Sequence, residues 1–131
     1  MSDEATVVSV GELPLLETAA TRIEGVKLRL LLGDEVGAGQ YWLAHTEFPP
    51  GTLHRLHRHP GRDQAIYVLS GQLVQTGAEG PLRTLAAGDV VHVPAGTWHG
   101  LENRGAEPAF TLAIYGGTGR AETAGYELRN E

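Results

Sequence analysis

The sequence predicts a single all-β domain, and three observations lead to that prediction. Apolar or alternating runs are short throughout the chain, and Gly, Pro or Asp residues interrupt them at fairly regular intervals. The 131 residues include 18 Gly and 7 Pro, a composition that favours many turns. No long segment repeats its apolar residues every three or four positions, so a helical domain is not indicated. The strands are therefore expected to form a sandwich or a barrel.

Each predicted strand ends at a residue type that interrupts strands. In order, the runs are Val26–Leu32 before Gly33-Asp34, Tyr41–Phe48 before Pro49-Pro50-Gly51, Ala65–Leu69 before Ser70-Gly71, Gln72–Gln75 before Gly77, Arg83–Leu85 before Ala87-Gly88-Asp89, Val90–Val93 before Pro94, and Phe110–Tyr115 before Gly116-Gly117. Only Glu12–Ala20 is compatible with a brief turn of helix, and Pro14 suits its start.

The two ends of the chain are more polar than its centre. We therefore divide it into an N-terminal arm (residues 1–22), a barrel (residues 23–115) and a C-terminal tail (residues 116–131). The tail contains little to bury except Tyr126 and Leu128, so we favour a frayed terminus. The alternative is that these two side chains pack on a neighbouring subunit.

Composition argues against several classes of function. The formal net charge is -6 with His neutral, so nucleic-acid or anionic-membrane binding is not expected. The chain has no cysteine, which leaves out disulfides and thiolate metal sites. No basic and apolar leader is visible at the amino terminus, and no run approaches the roughly 20 apolar residues that span a bilayer. We predict a soluble, cytoplasmic protein.

A His-x-His pair, His57 and His59, carries the most specific chemical signal. Alternate residues of a strand share a face, so an extended segment would direct both imidazoles to one point. Gln64 is in phase with the apolar residues Ile66 and Val68, so its side chain is expected on an interior face. A buried amide needs a hydrogen-bonding or ligating partner. His99 follows a Pro/Gly turn further along the chain. Three imidazoles and an amide oxygen are a ligand set that suits Fe, Mn, Ni, Zn or Co better than Ca or Mg.

These residues belong to two spaced blocks that resemble both motifs of the cupin superfamily. The blocks are Gly51-x5-His57-x-His59-x4-Gln64-x6-Gly71 and Gly88-x5-Pro94-x-Gly96-x2-His99-x3-Asn103, separated by the 16 residues from Gln72 to Ala87. The resemblance implies a double-stranded β-helix, or jelly-roll barrel, with one divalent transition metal in its interior. It also implies that His57, His59 and His99 are metal ligands and that Gln64 occupies the position of the fourth.

Gln64 is a departure from the resemblance, because the family typically has Glu at that position. An amide brings no charge, so a divalent ion held by these four groups keeps its full formal charge. That favours anionic, chelating small-molecule substrates and leaves no carboxylate base among the ligands. We expect a metal-dependent enzyme, with dioxygenase chemistry and Fe favoured. The alternatives are a lyase, isomerase or cyclase that uses Mn, Ni or Zn as a Lewis acid, and a non-catalytic binding barrel. Cupins commonly associate, so a homodimer is expected.

The weaker candidates depend on which face of a strand points inward. If the face of Tyr41–Phe48 that carries Tyr41, Leu43 and His45 points to the interior, Tyr41 and His45 are candidate acid/base groups. We favour the opposite face as the core, because it carries the more apolar set Trp42, Ala44, Thr46 and Phe48. Trp98, beside His99, is equally compatible with a wall of the pocket mouth and with packing at the barrel rim.

Two further histidines are expected away from the site. His54 is assigned to the surface after the Gly51 turn, and His92 is expected to face away from the metal because it alternates with Val91 and Val93.

Overall fold

The computed structural model describes residues 4–16 and 25–129, and these form two antiparallel sheets. The strands are β1 (Lys27–Leu32), β2 (Tyr41–Phe48), β3 (Leu53–Arg58), β4 (Gln64–Ser70), β5 (Gln72–Gly77), β6 (Gly80–Ala86), β7 (Val90–Val93), β8 (His99–Glu102), β9 (Ala109–Gly116) and β10 (Glu127–Leu128). Two 3-10 turns (Val10–Glu12 and Asp34–Val36) and one helical turn (Ala121–Ala124) complete the described elements.

The strand order identifies a double-stranded β-helix, as the sequence predicts. One sheet has the order β1-β2-β9-β4-β7, and the other has the order β10-β3-β8-β5-β6. From β2 onward the chain crosses to the other sheet after every strand except β5, which forms a hairpin with β6, so the chain winds around a common interior. Residues far apart in the sequence therefore meet as neighbours: β9, for example, pairs with β2 along one edge and with β4 along the other.

The core lies between the two inner faces and follows from the alternation of side chains along the strands. In β9 the buried positions are Ala109, Thr111, Ala113 and Tyr115, each two residues from the next. The main buried cluster draws on both sheets and comprises Val26, Phe48, Ile66, Val68, Leu73, Leu85, Val93, Leu101 and Ala109.

The predicted strands are recovered, two of them with the same bounds: Tyr41–Phe48 and Val90–Val93. The helical turn expected at Glu12–Ala20 is wrong over its described part. A 3-10 turn ends at Glu12 instead, and Leu16 forms a β-bridge with Leu28, whose carbonyl accepts its backbone N–H. The remainder of that prediction, residues 17–20, lies outside the described residues.

The prediction of a frayed C-terminal tail is also wrong over residues 116–129, and its alternative, that Tyr126 and Leu128 pack on a neighbouring subunit, stays a prediction. The tail folds back over its own barrel, where Glu127 and Leu128 pair with Arg58 and His57 of β3. The backbone N–H of Gly61 donates to the Ala124 carbonyl at 2.8 Å. Strand pairing satisfies backbone groups whatever the side chains are, so a polar sequence does not prevent it.

Among residues 4–16 and 25–129, no helix is long and apolar enough to cross a membrane. The cytoplasmic location and the homodimer stay predictions.

The turn between β4 and β5 provides a test of its close packing against the start of β9. Gly71 has φ +80°, and a Cβ built on it would lie 2.7 Å from both the Ala109 Cα and the Pro108 carbonyl oxygen. Gly71→Ala should therefore lower the free energy of unfolding by about 1–3 kcal/mol, measured by urea denaturation. Gly116→Ala is the control, since no atom lies within 4 Å of its built Cβ. Equal stability of the two variants would contradict this account of the turn.

Candidate metal centre

Three histidines meet in the interior because two paired strands deliver them. His57 on β3 lies directly opposite His99 on β8, and His59 follows on the same side of the chain as His57. Their exposed fractions are 1%, 3% and 4% for His57, His99 and His59. One ring nitrogen from each lies within 4.8 Å of the others. The predicted convergence of these residues is therefore present.

The backbone fixes which ring nitrogen of each histidine faces the centre. The Nδ1–H of His57 donates to the Arg55 carbonyl at 2.6 Å, that of His59 to the Gly125 carbonyl at 2.8 Å, and that of His99 to the Thr97 carbonyl at 2.9 Å. A carbonyl only accepts, so each Nδ1 carries the proton and each Nε2 keeps its lone pair. Three lone pairs are thus oriented in advance, as metal ligation requires.

Gln64 reaches the same centre from the facing sheet. Its Oε1 lies 3.1 Å from Nε2 of His99. Both atoms are acceptors when Nδ1 of His99 is protonated, so this pairing needs either a rotated amide or a cation that binds both atoms. A cation is the arrangement that would also give Nε2 of His57 a partner.

Burial keeps the imidazoles uncharged. It lowers the pKa of His99 to about 4, partly offset by the hydrogen bond to Thr97. Burial also lowers the pKa of His57, and the nearby histidines His54 and His99 lower it further. The pKa of His59 is lowered by burial as well, against the opposing effect of the Gly125 carbonyl. Neutral imidazoles are the form that binds metal, so no proton has to be displaced at neutral pH.

The donor set fits a divalent transition metal. The three histidines are buried, neutral and oriented by backbone carbonyls, and the amide of Gln64 adds an oxygen donor beside them. This cluster is the one group of at least three potential metal-ligating His, Cys, Asp or Glu side chains found in the described part of the chain.

His54 lines the site, although the sequence places it at the surface. Its ring stacks on His57 with centroids 3.7 Å apart, and its Nε2 lies 3.2 Å from the Tyr126 hydroxyl. Strict alternation would turn residues 54 and 57 to opposite faces, but an irregularity in the β3–β8 register lies between them. Burial, followed by the nearby His99 and His59, lowers the pKa of His54 to about 3.

Two tyrosines complete the surroundings of the cluster, and neither is a predicted site residue. The Tyr115 hydroxyl donates to Nε2 of His59 at 3.2 Å, and its ring packs on Trp42 with centroids 4.8 Å apart. Burial raises the pKa of Tyr115, which holds its proton. Tyr126 comes from the folded-back tail and stacks on His57 at 5.0 Å. Alternation along β9 identifies Tyr115 as inward, whereas no sequence signal identifies Tyr126.

The weaker candidates do not reach the cluster. Tyr41 is 46% exposed, and His45 packs against Phe110 on the outer side of its sheet, so the favoured orientation of β2 is confirmed. Trp98 is half-buried beneath Arg58, whose Cζ lies 4.7 Å from the ring centroid. Trp98 therefore packs at the barrel rim and is not among the residues that line the cavity.

A cavity of about 740 Å³ opens beside the histidines. Aromatic and aliphatic side chains form much of its wall, among them Trp42, Phe48, Ile66, Leu101 and Tyr115. Three carboxylates line it as well, Asp34, Glu35 and Glu122, and all three are exposed to solvent. The interior next to the histidines is thus apolar apart from uncharged hydrogen-bonding groups.

The stability of the metal-free protein should depend on pH in the acidic range. A buried histidine whose pKa is about 4 in the folded chain and about 6.5 when unfolded binds fewer protons in the folded state between those values. The free energy of unfolding should therefore decrease as the pH falls from 6.5 towards 4, measured by denaturation in chelator-containing buffers. His54→Gln removes one such group and should flatten the profile. A profile equally steep in both proteins would count against the placement of His54.

Comparison with known proteins agrees with this geometry. The profile of the cupin domain family matches residues 44–115. The tetracenomycin polyketide synthase protein TcmJ of Streptomyces glaucescens is 33% identical over 107 residues, which are 81% of this chain and 71% of TcmJ. Germin-like protein subfamily 2 member 2 of Arabidopsis thaliana is 32% identical over 77 residues, 56% of this chain, which spans 35% of that protein.

Solved structures share the architecture. The polyketide cyclase RemF of Streptomyces resistomycificus superposes with a TM-score of 0.77 at 20% identity, over 86% of this chain and 80% of RemF. At that identity the likeness establishes the fold. The family profile, the identity to TcmJ and the observed β-helix with its buried histidines lead to one conclusion: the chain is a member of the cupin superfamily.

Proposed function

We propose that this cupin is a metal-dependent enzyme that acts without net oxidation or reduction on an enolisable, chelating aromatic or polyketide-like compound, by a cyclase-type or isomerase-type reaction. The observation that carries the proposal is the large, mainly apolar cavity that opens on an uncharged His/Gln donor set. Residues His57, His59, His99 and Gln64 would hold the metal, which when bound supplies Lewis acidity towards a carbonyl or enolate oxygen.

The cavity supports a ring-containing substrate rather than a very small acid. Its volume of about 740 Å³ falls in the range of pockets for drug-sized ligands, roughly 300–1,000 Å³. Trp42, Phe48 and Ile66 offer flat and aliphatic surfaces to such a ligand. A small dicarboxylate would leave most of this apolar surface without a contact.

Tyr115 supplies a proton donor in this interior. Its hydroxyl lies beside the cluster, 3.2 Å from Nε2 of His59, and its raised pKa keeps it protonated. If Nε2 of His59 ligated a metal, the Tyr115 hydroxyl would be free to donate to a substrate oxygen. The carboxylates of the cavity wall are exposed, whereas Tyr115 is only 6% exposed, so we assign it as the proton donor of the site.

The relatives are consistent with this choice. TcmJ is named as a polyketide synthase protein, and polyketide chains carry alternating carbonyl groups that enolise and chelate metals. The dioxygenase activity that the sequence favours stays a prediction, because no contact in the site distinguishes oxygen chemistry from Lewis-acid chemistry. A non-catalytic binding barrel stays an alternative that a turnover assay decides.

Metal content is the first experiment. Protein purified without an affinity tag should contain about one transition-metal ion per chain by elemental analysis, and His57→Ala and His99→Ala should lose it, because each removes one of three converging ligands. His92→Ala is the matched control, since that histidine is exposed on the outer side of β7. Gln64→Glu should keep the metal, because a carboxylate also ligates through oxygen. Full metal content in both ligand variants would refute the site.

Proton exchange tests the proposed chemistry and the role of Tyr115. We expect the metal-loaded protein in D₂O to speed deuterium exchange at the methyl group of 2'-hydroxyacetophenone, a chelating aryl ketone, with solvent accepting the methyl proton and returning a deuteron, measured by NMR without oxygen. Tyr115→Phe should slow exchange about a hundredfold at unchanged metal content, since it removes only the proton donor.

Trp98→Phe, which alters a residue of the barrel rim, should leave exchange unchanged. Oxygen consumption with the same ketone under air would favour the dioxygenase instead. Binding with no exchange and no oxygen uptake would favour a binding barrel.

A further inference from the structure

A second polar point lies in the cavity away from the histidines. Thr46 on β2 and Thr111 on β9 are a directly opposed cross-strand pair, and their hydroxyls are hydrogen-bonded to each other. Both line the cavity and are buried, with exposed fractions of 5% and 1%. Neither hydroxyl has a role in the proposed reaction.

The register places this pair far from the metal centre along the same face. Gln64 is opposite Tyr115 at one end of the β4–β9 pairing, and Thr111 lies four residues before Tyr115 on β9. At roughly 3.3 Å per residue, Thr111 and Tyr115 are about 13 Å apart along β9. Between them the inward positions are apolar, with Ala113 opposite Ile66. The small Ala113 side chain leaves room above the sheet.

The pair holds one more donor hydrogen than it uses internally. Two hydroxyls have two donor hydrogens, and the bond between them consumes one. No other acceptor for either hydroxyl is found among the described residues. The second hydrogen is therefore free to donate to a ligand in a dry environment, where an unpaired polar group has a free-energy cost.

We infer that Thr46 and Thr111 form a distal subsite for an oxygen substituent of the substrate. The substrate class is then an elongated, fused-ring compound with a chelating group at one end and a hydroxyl or carbonyl at the other. This inference rests on the proposed function, because the chelating end is fixed by the metal centre. The hydroxyl pair selects for length and for the position of the distal oxygen.

A structural role alone would also explain a threonine pair, since opposed threonines stabilise neighbouring strands. The two explanations differ in what they predict for ligands. If the pair is only structural, replacing a threonine changes the affinity for all ligands alike. If the pair is a subsite, the replacement changes the affinity only for ligands with a distal oxygen. Matched probes are 1,2-dihydroxyanthraquinone, which chelates at one end, and 1,2,6-trihydroxyanthraquinone, which adds a hydroxyl at the other.

The experiment measures the affinity of the Zn²⁺-reconstituted protein for both compounds by their absorbance. The trihydroxy compound should bind about five to ten times more tightly, the gain of one neutral hydrogen bond. Thr111→Val and Thr46→Val should each remove most of that gain and leave the dihydroxy compound unaffected. Thr111→Ser, which keeps the hydroxyl, should retain the gain. Zinc content and thermal stability are measured for each variant.

The outcomes separate the two proposals. Equal affinity for both compounds, or equal losses for both in the valine variants, would overturn the subsite and leave the metal-dependent function standing. Failure of both compounds to bind the zinc-loaded protein would overturn the chelating site and the subsite together. If a valine variant does not fold, the subsite is tested by the difference in affinity between the two compounds, measured on the unaltered protein and on Thr111→Ser.

Discussion

The pairing of His57 with His99 across β3 and β8 is the contact on which the site depends. It places two imidazoles side by side in the interior, with ring centroids 4.1 Å apart and planes tilted by 54°, and His59 follows on the same side of the chain. Each ring is then fixed by a carbonyl, two of them only two residues away, from Arg55 and Thr97, and one from the distant Gly125. The orientation of the Nε2 lone pairs is therefore a property of the backbone, which makes it rigid.

The C-terminal segment is part of this constraint. Gly125 supplies the carbonyl that orients His59, and the next residue, Tyr126, stacks on His57. The strand β10 anchors the segment on β3, so the site is closed by the same chain that forms it. Two elements far apart in the sequence thus contribute to one site: β3 carries His57, and the tail orients His59 and covers His57.

Electrostatics and packing act in the same direction in the cavity. Burial lowers the pKa of the four histidines His54, His57, His59 and His99 and raises the pKa of Tyr115, so these five groups are uncharged at neutral pH. An uncharged, apolar interior has little screening, and a divalent ion held there would act strongly on a bound oxygen. The same interior favours ring-containing ligands over small ions, because its walls offer dispersion contacts.

The sequence by itself determined most of the strands, the inward face of β2 and the convergence of His57, His59 and His99, because period-two alternation and turn residues are local properties. Tertiary structure alone decided the rest. His54 enters the site through a register irregularity that alternation cannot anticipate, and Tyr126 enters through backbone pairing of a polar tail. The cavity and the opposition of Thr46 to Thr111 depend on which distant strands become neighbours. Backbone hydrogen bonds are the same for any side chains, so the residues of one strand carry little information about its partner.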